Sequence, residues 1–264
     1  MKTALAAVIA LGMSLAATPA LAEHHEAQAE RVAQFAELPY WPGYWVAENQ
    51  AGTTIGGIAP AILAARESGE FPDNFMNLRG ANAPWNEEGL RRLEEARAIN
   101  AGRKATGWGF PMMMNAATPL QFTITPEQVL IVNAYGEVRY VYTDREMPDE
   151  FDLWPTVRGT SVGRWEGDTL VIETIMVRSP IEYFHGAPPF SEEAHYEERI
   201  RLEGDRLVSD VTVTDPVTLT EPFVTQVSWV RDEGFDRMIE IDWDNDRTGV
   251  DENGVNTIEM EVVE

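Results

Sequence analysis

The chain has 264 residues, 44 Asp and Glu against 20 Lys and Arg, a formal net charge of −24 and no cysteine. An acidic balance of this size argues against a nucleic-acid partner, because binding phosphates needs a basic surface. Without thiols there is neither a disulfide nor a cysteine-linked lipid anchor, so an exported chain of this kind relies on its core.

Residues 1–22 carry Lys2, an apolar run over 4–17, and Ala20-Leu-Ala22 just before Glu23. This is the pattern of a secretory signal peptide cleaved near Ala22, and the run is too short and too alanine-rich to span a bilayer. No other stretch is suited to crossing one, so the expectation is a periplasmic or secreted protein. Residues 23–37 are polar and Ala-rich, with His24 and His25 read as solvated. Next comes Leu38-Pro-Tyr-Trp-Pro-Gly-Tyr-Trp-Val46, the densest aromatic cluster in the chain. Residues 58–66 read as helical. A second helix is expected after Asn86, which can cap it, with Glu87 and Glu88 in its first turn, Leu90 and Leu93 on one face, and its end at residues 100–102. Residues 23–119 together read as a cap packed on a sheet.

From residue 120 the pattern turns to β. Strands are expected over 120–125, 128–134, 137–143, 160–165, 169–177, 195–202, 206–214, 223–230, 237–243 and 256–262. Two of the turns repeat one phrase, Glu166-Gly-Asp168 and Glu203-Gly-Asp205, placing a glycine where a hairpin loop needs positive φ. Consecutive hairpins make an antiparallel meander, and so many strands must hide their edges. The fold class is therefore mainly β, with an up-and-down, lipocalin-like barrel first and a β-sandwich second. Residues 120–264 form that barrel, in one structural domain with the cap. Two long connections, 144–159 and 178–194, interrupt the meander, and long loops on a β scaffold are where function usually sits.

Two resemblances attach to these residues. Gly43-x-Trp45 resembles the opening motif of lipocalins, which implies that the Trp closes the base of a barrel. Pro119-Leu-Gln-Phe-Thr-Ile-Thr-Pro126, Gly159-Thr-Ser-Val-Gly-Arg-Trp-Glu-Gly-Asp-Thr-Leu-Val171 and His195-Tyr-Glu-Glu-Arg-Ile-Arg201 resemble a family of secreted bacterial β-rich proteins with no established activity. Members of that family carry Asp-Gly-Arg followed by His-Pro after the second strand. Here Asp144-Arg-Glu-Met-Pro148 lacks that Gly and His.

Three groups of residues could carry chemistry. On the strand 195–201 a period of two puts His195, Glu197, Arg199 and Arg201 on one face and Tyr196, Glu198, Ile200 and Leu202 on the other. A carboxylate among Tyr and Ile needs a partner or a task, so Glu198 is either paired to a neighbouring Arg or works with His195 as an acid–base pair at a cavity mouth. Arg139 or Arg199 would then bind an anionic or oxygen-rich ligand. The connection 178–194 offers Tyr183, Phe184, His185 and Phe190, either as a lid or as a plain loop. Met112, Met113 and Met114 read as a core plug. Lastly, Asp242, Asp244 and Asp246 resemble a calcium loop, although Arg247 stands where Gly is needed and Asn253 where a bidentate Glu belongs.

The leading reading is a barrel binding a small apolar or aromatic organic ligand without a cofactor, lined by Trp41, Trp45, Tyr140, Tyr142, Trp165, Tyr183 and Phe184. The second is a cofactor-independent isomerase, lyase or hydrolase using His195 and Glu198. A third is a calcium-stabilised interaction protein.

Overall fold

The computed structural model describes residues 19–48, 78, 80, 82–99, 107–115, 118–182, 187–241, 248–250 and 256–258. The expected helix over 58–66 lies outside them. The chain divides into two compact units, Met1–Leu38 and Pro39–Glu264. The first contains helix α1 (Pro19–Glu37), which runs through Ala22. Among the described residues no helix is long and apolar enough to cross a membrane.

The second unit is built on a closed barrel of nine strands: β1 (Tyr44–Ala47), β2 (Leu120–Ile124), β3 (Gln128–Asn133), β4 (Val138–Tyr142), β5 (Thr160–Glu166), β6 (Thr169–Ile175), β7 (His195–Glu203), β8 (Arg206–Thr214) and β9 (Phe223–Asp232). Each strand pairs with the next, and β9 returns to β1 through pairs such as Val46↔Val230. The architecture is thus the barrel and not the sandwich, and closure leaves no long edge exposed. Both Glu-Gly-Asp turns form as expected, with Gly167 at φ 63° and Gly204 at φ 67°. They close the hairpins at Glu166↔Thr169 and Glu203↔Arg206.

One junction departs from a pure meander. β4 and β5 run parallel and share only Val141↔Ser161 and Tyr142↔Val162. Nine strands cannot all alternate in direction and still close with β1 antiparallel to β9, so one step must be parallel. A parallel step needs a connection long enough to travel back along the barrel, and residues 143–159 supply it.

Two strand expectations change for one reason. β1, from the aromatic cluster placed in the cap, takes the position beside β9, so the barrel is complete before residue 237. Residues 237–241 accordingly form no strand, although Ile241 N donates to Ala134 O at 2.8 Å. β11 (Asn256–Ile258) pairs with β10 (Thr248–Val250) in a separate two-stranded sheet.

Helix α2 (Glu87–Ile99) starts at the expected cap: Gly89 N donates to Asn86 Oδ1 at 2.9 Å. Hydrogen bonds from Arg91 and Arg92 hold the Glu88 carboxyl down to about 2. Leu90 is exposed, however, and Ala96 is buried in its stead. The helix docks through its first turn, where Asn86 N and Nδ2 donate to Thr218 O and Val217 O, both at 3.0 Å. A Cβ on Gly89 would lie 2.4 Å from Thr218 O, so only glycine permits this approach.

Aromatic residues fill the barrel toward the end that carries the Gly167 and Gly204 turns. Trp41 meets Phe122 and Trp165 edge-on at 5.7 and 5.6 Å. Trp45 is fully buried, with the Arg231 guanidinium 5.0 Å above its ring. Gly43, at φ 92°, lies against the Arg231 side chain. Toward the other end, the segment Phe110 to Asn115 forms the plug. Its methionines 112–114 are buried, Trp229 Nε1 donates to Met114 O at 2.9 Å, and Gly109 N donates to Glu137 Oε1 at 2.8 Å.

Candidate functional site

The site lies on the inner wall, where four consecutive strands each contribute one polar side chain: Arg139 from β4, Ser161 from β5, Thr174 from β6 and Glu198 from β7. Strand alternation aims them there. On β7, Tyr196, Glu198 and Ile200 are buried while His195 is exposed. On β4, Arg139 and Val141 are buried while Tyr140 is exposed. Register then brings the polar positions together, since Ser161 pairs with Thr174 and the next strand offsets Glu198 by one pair, opposite Ile172.

Arg139 is 1% exposed and Glu198 2%. Arg139 Nη2 donates to Glu198 Oε2 and to Thr174 Oγ1, the latter at 2.8 Å. Its Nε donates to Ser161 Oγ at 3.3 Å, and the two hydroxyls are 2.8 Å apart. The Phe110 ring covers one face of the guanidinium, 4.1 Å from Cζ, and packs against Tyr196 at 4.9 Å. Arg139 Nη1 is buried and has no hydrogen-bond partner among the described residues. Trp165 Nε1 and Ser209 Oγ are in the same condition. A buried donor left unmatched costs about 1–3 kcal/mol, so such groups mark places where another molecule's oxygen would be favourable.

The sequence-predicted residues separate across this wall. Arg139, Glu198 and Trp165 are on the inside, with Trp41 and Trp45 buried in the adjoining core. Tyr140 and Tyr142 face outward and stack on each other at 6.3 Å, with Arg145 4.4 Å over Tyr142. Arg199 also faces outward, donating to Glu166 Oε2 at 2.6 Å. That hydrogen bond, with a weaker one from Arg164, holds the Glu166 carboxyl below its ordinary value. His195 is exposed on the outer face, so the structure does not bring it to Glu198. Tyr183, Phe184, His185, Asp242, Asp244 and Asp246 lie outside the described residues. Among the described residues no three His, Asp or Glu gather in a way that could hold a metal ion.

Ser161, Thr174 and Phe110 were not singled out by sequence. The signal for the first two was available: each is a small polar residue at an inward position of a strand. Phe110 left none, since its loop reaches the barrel only through tertiary contacts.

Two other polar features are accounted for locally. Asp215 is buried but satisfied, accepting from Ser191 N and Oγ at 2.7 Å, Val217 N at 3.0 Å and Thr218 Oγ1 at 2.5 Å. It ties residue 191 to the β8–β9 connection. On the outer surface, where β4 and β5 part beyond Val162, a solvent-open groove of about 450 Å³ is lined by Asp144, Arg145, Met147, Val162 and Arg164 among others.

No family model matches the chain, and no curated protein matches it. Two solved structures are similar to it at a distance. The wild-type fluorescent protein UnaG is 16% identical, over 57% of this chain and 92% of its own, with a TM-score of 0.27. A mutant of UnaG is 15% identical, over 45% and 73%, with a TM-score of 0.25.

Proposed function

We propose that this chain is an exported barrel protein that binds a small, mainly apolar or aromatic organic molecule against its inner wall. One observation carries the reading: the cluster of Arg139, Glu198, Ser161 and Thr174 embedded among Phe110, Tyr196 and the aromatic core. A buried ion pair is on average no more stabilising than well-packed apolar residues of the same volume, so a purely structural core gains little from this one. Ligand sites, by contrast, are apolar enclosures with a few placed polar groups that fix orientation. A barrel of this strand number either fills with side chains or holds one small molecule, and the buried Arg139 Nη1 without a partner among the described residues favours the second. Export rests on residues 1–22 and their Ala20-Leu-Ala22 boundary.

Native mass spectrometry of the protein purified from its producing cell, without chelators, tests both parts. The expected result is a chain beginning at Glu23 that carries an extra mass of a few hundred daltons, lost on denaturation. A chain retaining Met1 would overturn export. A bare protein whose tryptophan emission ignores every apolar probe offered would overturn ligand binding.

A further inference from the structure

We infer that the polar head of the bound molecule is a neutral hydrogen-bond acceptor, a carbonyl or ether oxygen, held by Arg139 Nη1. The inference rests on the ligand-binding reading above and specifies the ligand's chemistry. Arg139 is the most donor-rich group on the inner wall, and its contacts divide it sharply. Nη2 is taken by Glu198 and Thr174, Nε by Ser161, and one face by Phe110. What is left is the in-plane edge at Nη1, with two N–H donors and no partner among the described residues. A guanidinium donates only, so whatever meets that edge must accept.

The charge of the acceptor follows from the pairing. Glu198, 2% exposed, already balances Arg139, 1% exposed. A second carboxylate would leave one negative charge uncompensated in a site almost closed to solvent, which is strongly unfavourable. A neutral oxygen takes the hydrogen bonds without that penalty, and a hydrogen bond from a charged donor is among the stronger ones. The covered guanidinium face limits approach to the plane of the group, which suits a flat carbonyl. Trp165 Nε1 and Ser209 Oγ, also buried without partners, add further donors to the inner wall but no positive charge. The wall as a whole therefore favours an oxygen-bearing, uncharged ligand.

The test compares three matched probes on the wild-type protein: an aryl methyl ketone, the corresponding aryl carboxylate and the methylarene. Each is offered in one-, two- and three-ring forms so that ring size does not decide the outcome. Dissociation constants are read by calorimetry or tryptophan quenching at neutral pH. The ketone is expected to bind about tenfold more tightly than the methylarene, the scale of one charge-assisted hydrogen bond. The carboxylate should bind more weakly than the ketone. In the double variant Arg139→Met with Glu198→Leu, which removes both charges together, the ratio of ketone to methylarene affinity should fall to about one. If the carboxylate binds best, or all three bind alike, ligand binding in the barrel stands and the neutral-acceptor assignment falls. If no probe of any ring size binds, the ligand-binding reading fails and takes this inference with it. The wild-type comparison decides even if the double variant does not fold.

Discussion

Neighbouring residues of β7 make two ion pairs of the same chemistry in opposite surroundings. Glu198 faces inward to Arg139, with both side chains about as buried as any among the described residues, whereas Arg199 faces outward to Glu166, with side-chain exposures of 40% and 42%. The outer pair sits in water, where ions are well solvated and a pair adds little. The inner pair has no such reservoir, so each charge depends on the other and on the Ser161 and Thr174 hydroxyls. One residue step along a strand is enough to turn a pair that water can replace into one in which losing a single partner leaves the other charge buried and uncompensated.

The largest test of this contrast removes one inner partner. Arg139→Ala strands Glu198 in the barrel and should cost about 3–5 kcal/mol, read as a fall in the urea midpoint. Replacing both, Arg139→Met with Glu198→Leu, should recover most of that loss, because it is the unpaired charge that destabilises. A double variant as unstable as the single one would break the comparison. Next in size is Trp229→Phe, which leaves the buried Met114 carbonyl without its 2.9 Å donor and should cost about 2 kcal/mol by the same measurement.

Outer-face changes should be much smaller. Burial works to raise the Asp210 carboxyl, but hydrogen bonds from Gln226 and Arg201 outweigh it and hold it below its ordinary value. Its side chain is 44% exposed, so Asp210→Asn should cost about 0.5 kcal/mol or less after solvent screening. A lowered folded-state value means that this stability is fully present above the ordinary aspartate range. It is lost as the pH falls from that range through the lowered value, so wild type and variant should converge in acid. The smallest effect is expected for Glu166→Gln, whose carboxyl is lowered chiefly by Arg199. A slight loss of melting temperature in dilute buffer should vanish in molar salt. Persistence of the loss at high salt would show that the outer pair is not simply a solvated one.

Much of the site could be read from alternation alone. The inward and outward faces of the 195–201 strand appear as the period of two requires, and Glu198 stands out as a carboxylate among apolar neighbours. Its pairing with an arginine was one of the two readings, but the partner, Arg139, lies 59 residues away with β5 and β6 between them in the chain, so no local pattern names it. His195 and Glu198 could be named together because they are close in sequence; three steps along a strand put them on opposite sides of a wall. Tyr140 and Tyr142 flank Arg139 and Val141 and so share the outer face, which makes them neighbours of the solvent and not of a cavity.

The sequence by itself determined what depends on nearby residues: the Gly167 and Gly204 hairpins, the Asn86 cap, the alternating faces of β7 and the abundance of strands. These follow from backbone freedom at glycine, from a side chain reaching its own helix terminus, and from the two-residue repeat, all of which act over a few positions. Tertiary structure decided which strand closes the barrel, which junction runs parallel and which loop enters the interior. β1 lies 72 residues before β2 yet completes the ring between β2 and β9, and in doing so it takes the place that residues 237–243 were expected to fill. Closure is a property of all nine strands together, because each admits a neighbour only if the remaining hydrogen-bonding edges are also satisfied. No local pattern encodes that condition, and the buried Arg139 and Glu198 pair exists only once it is met.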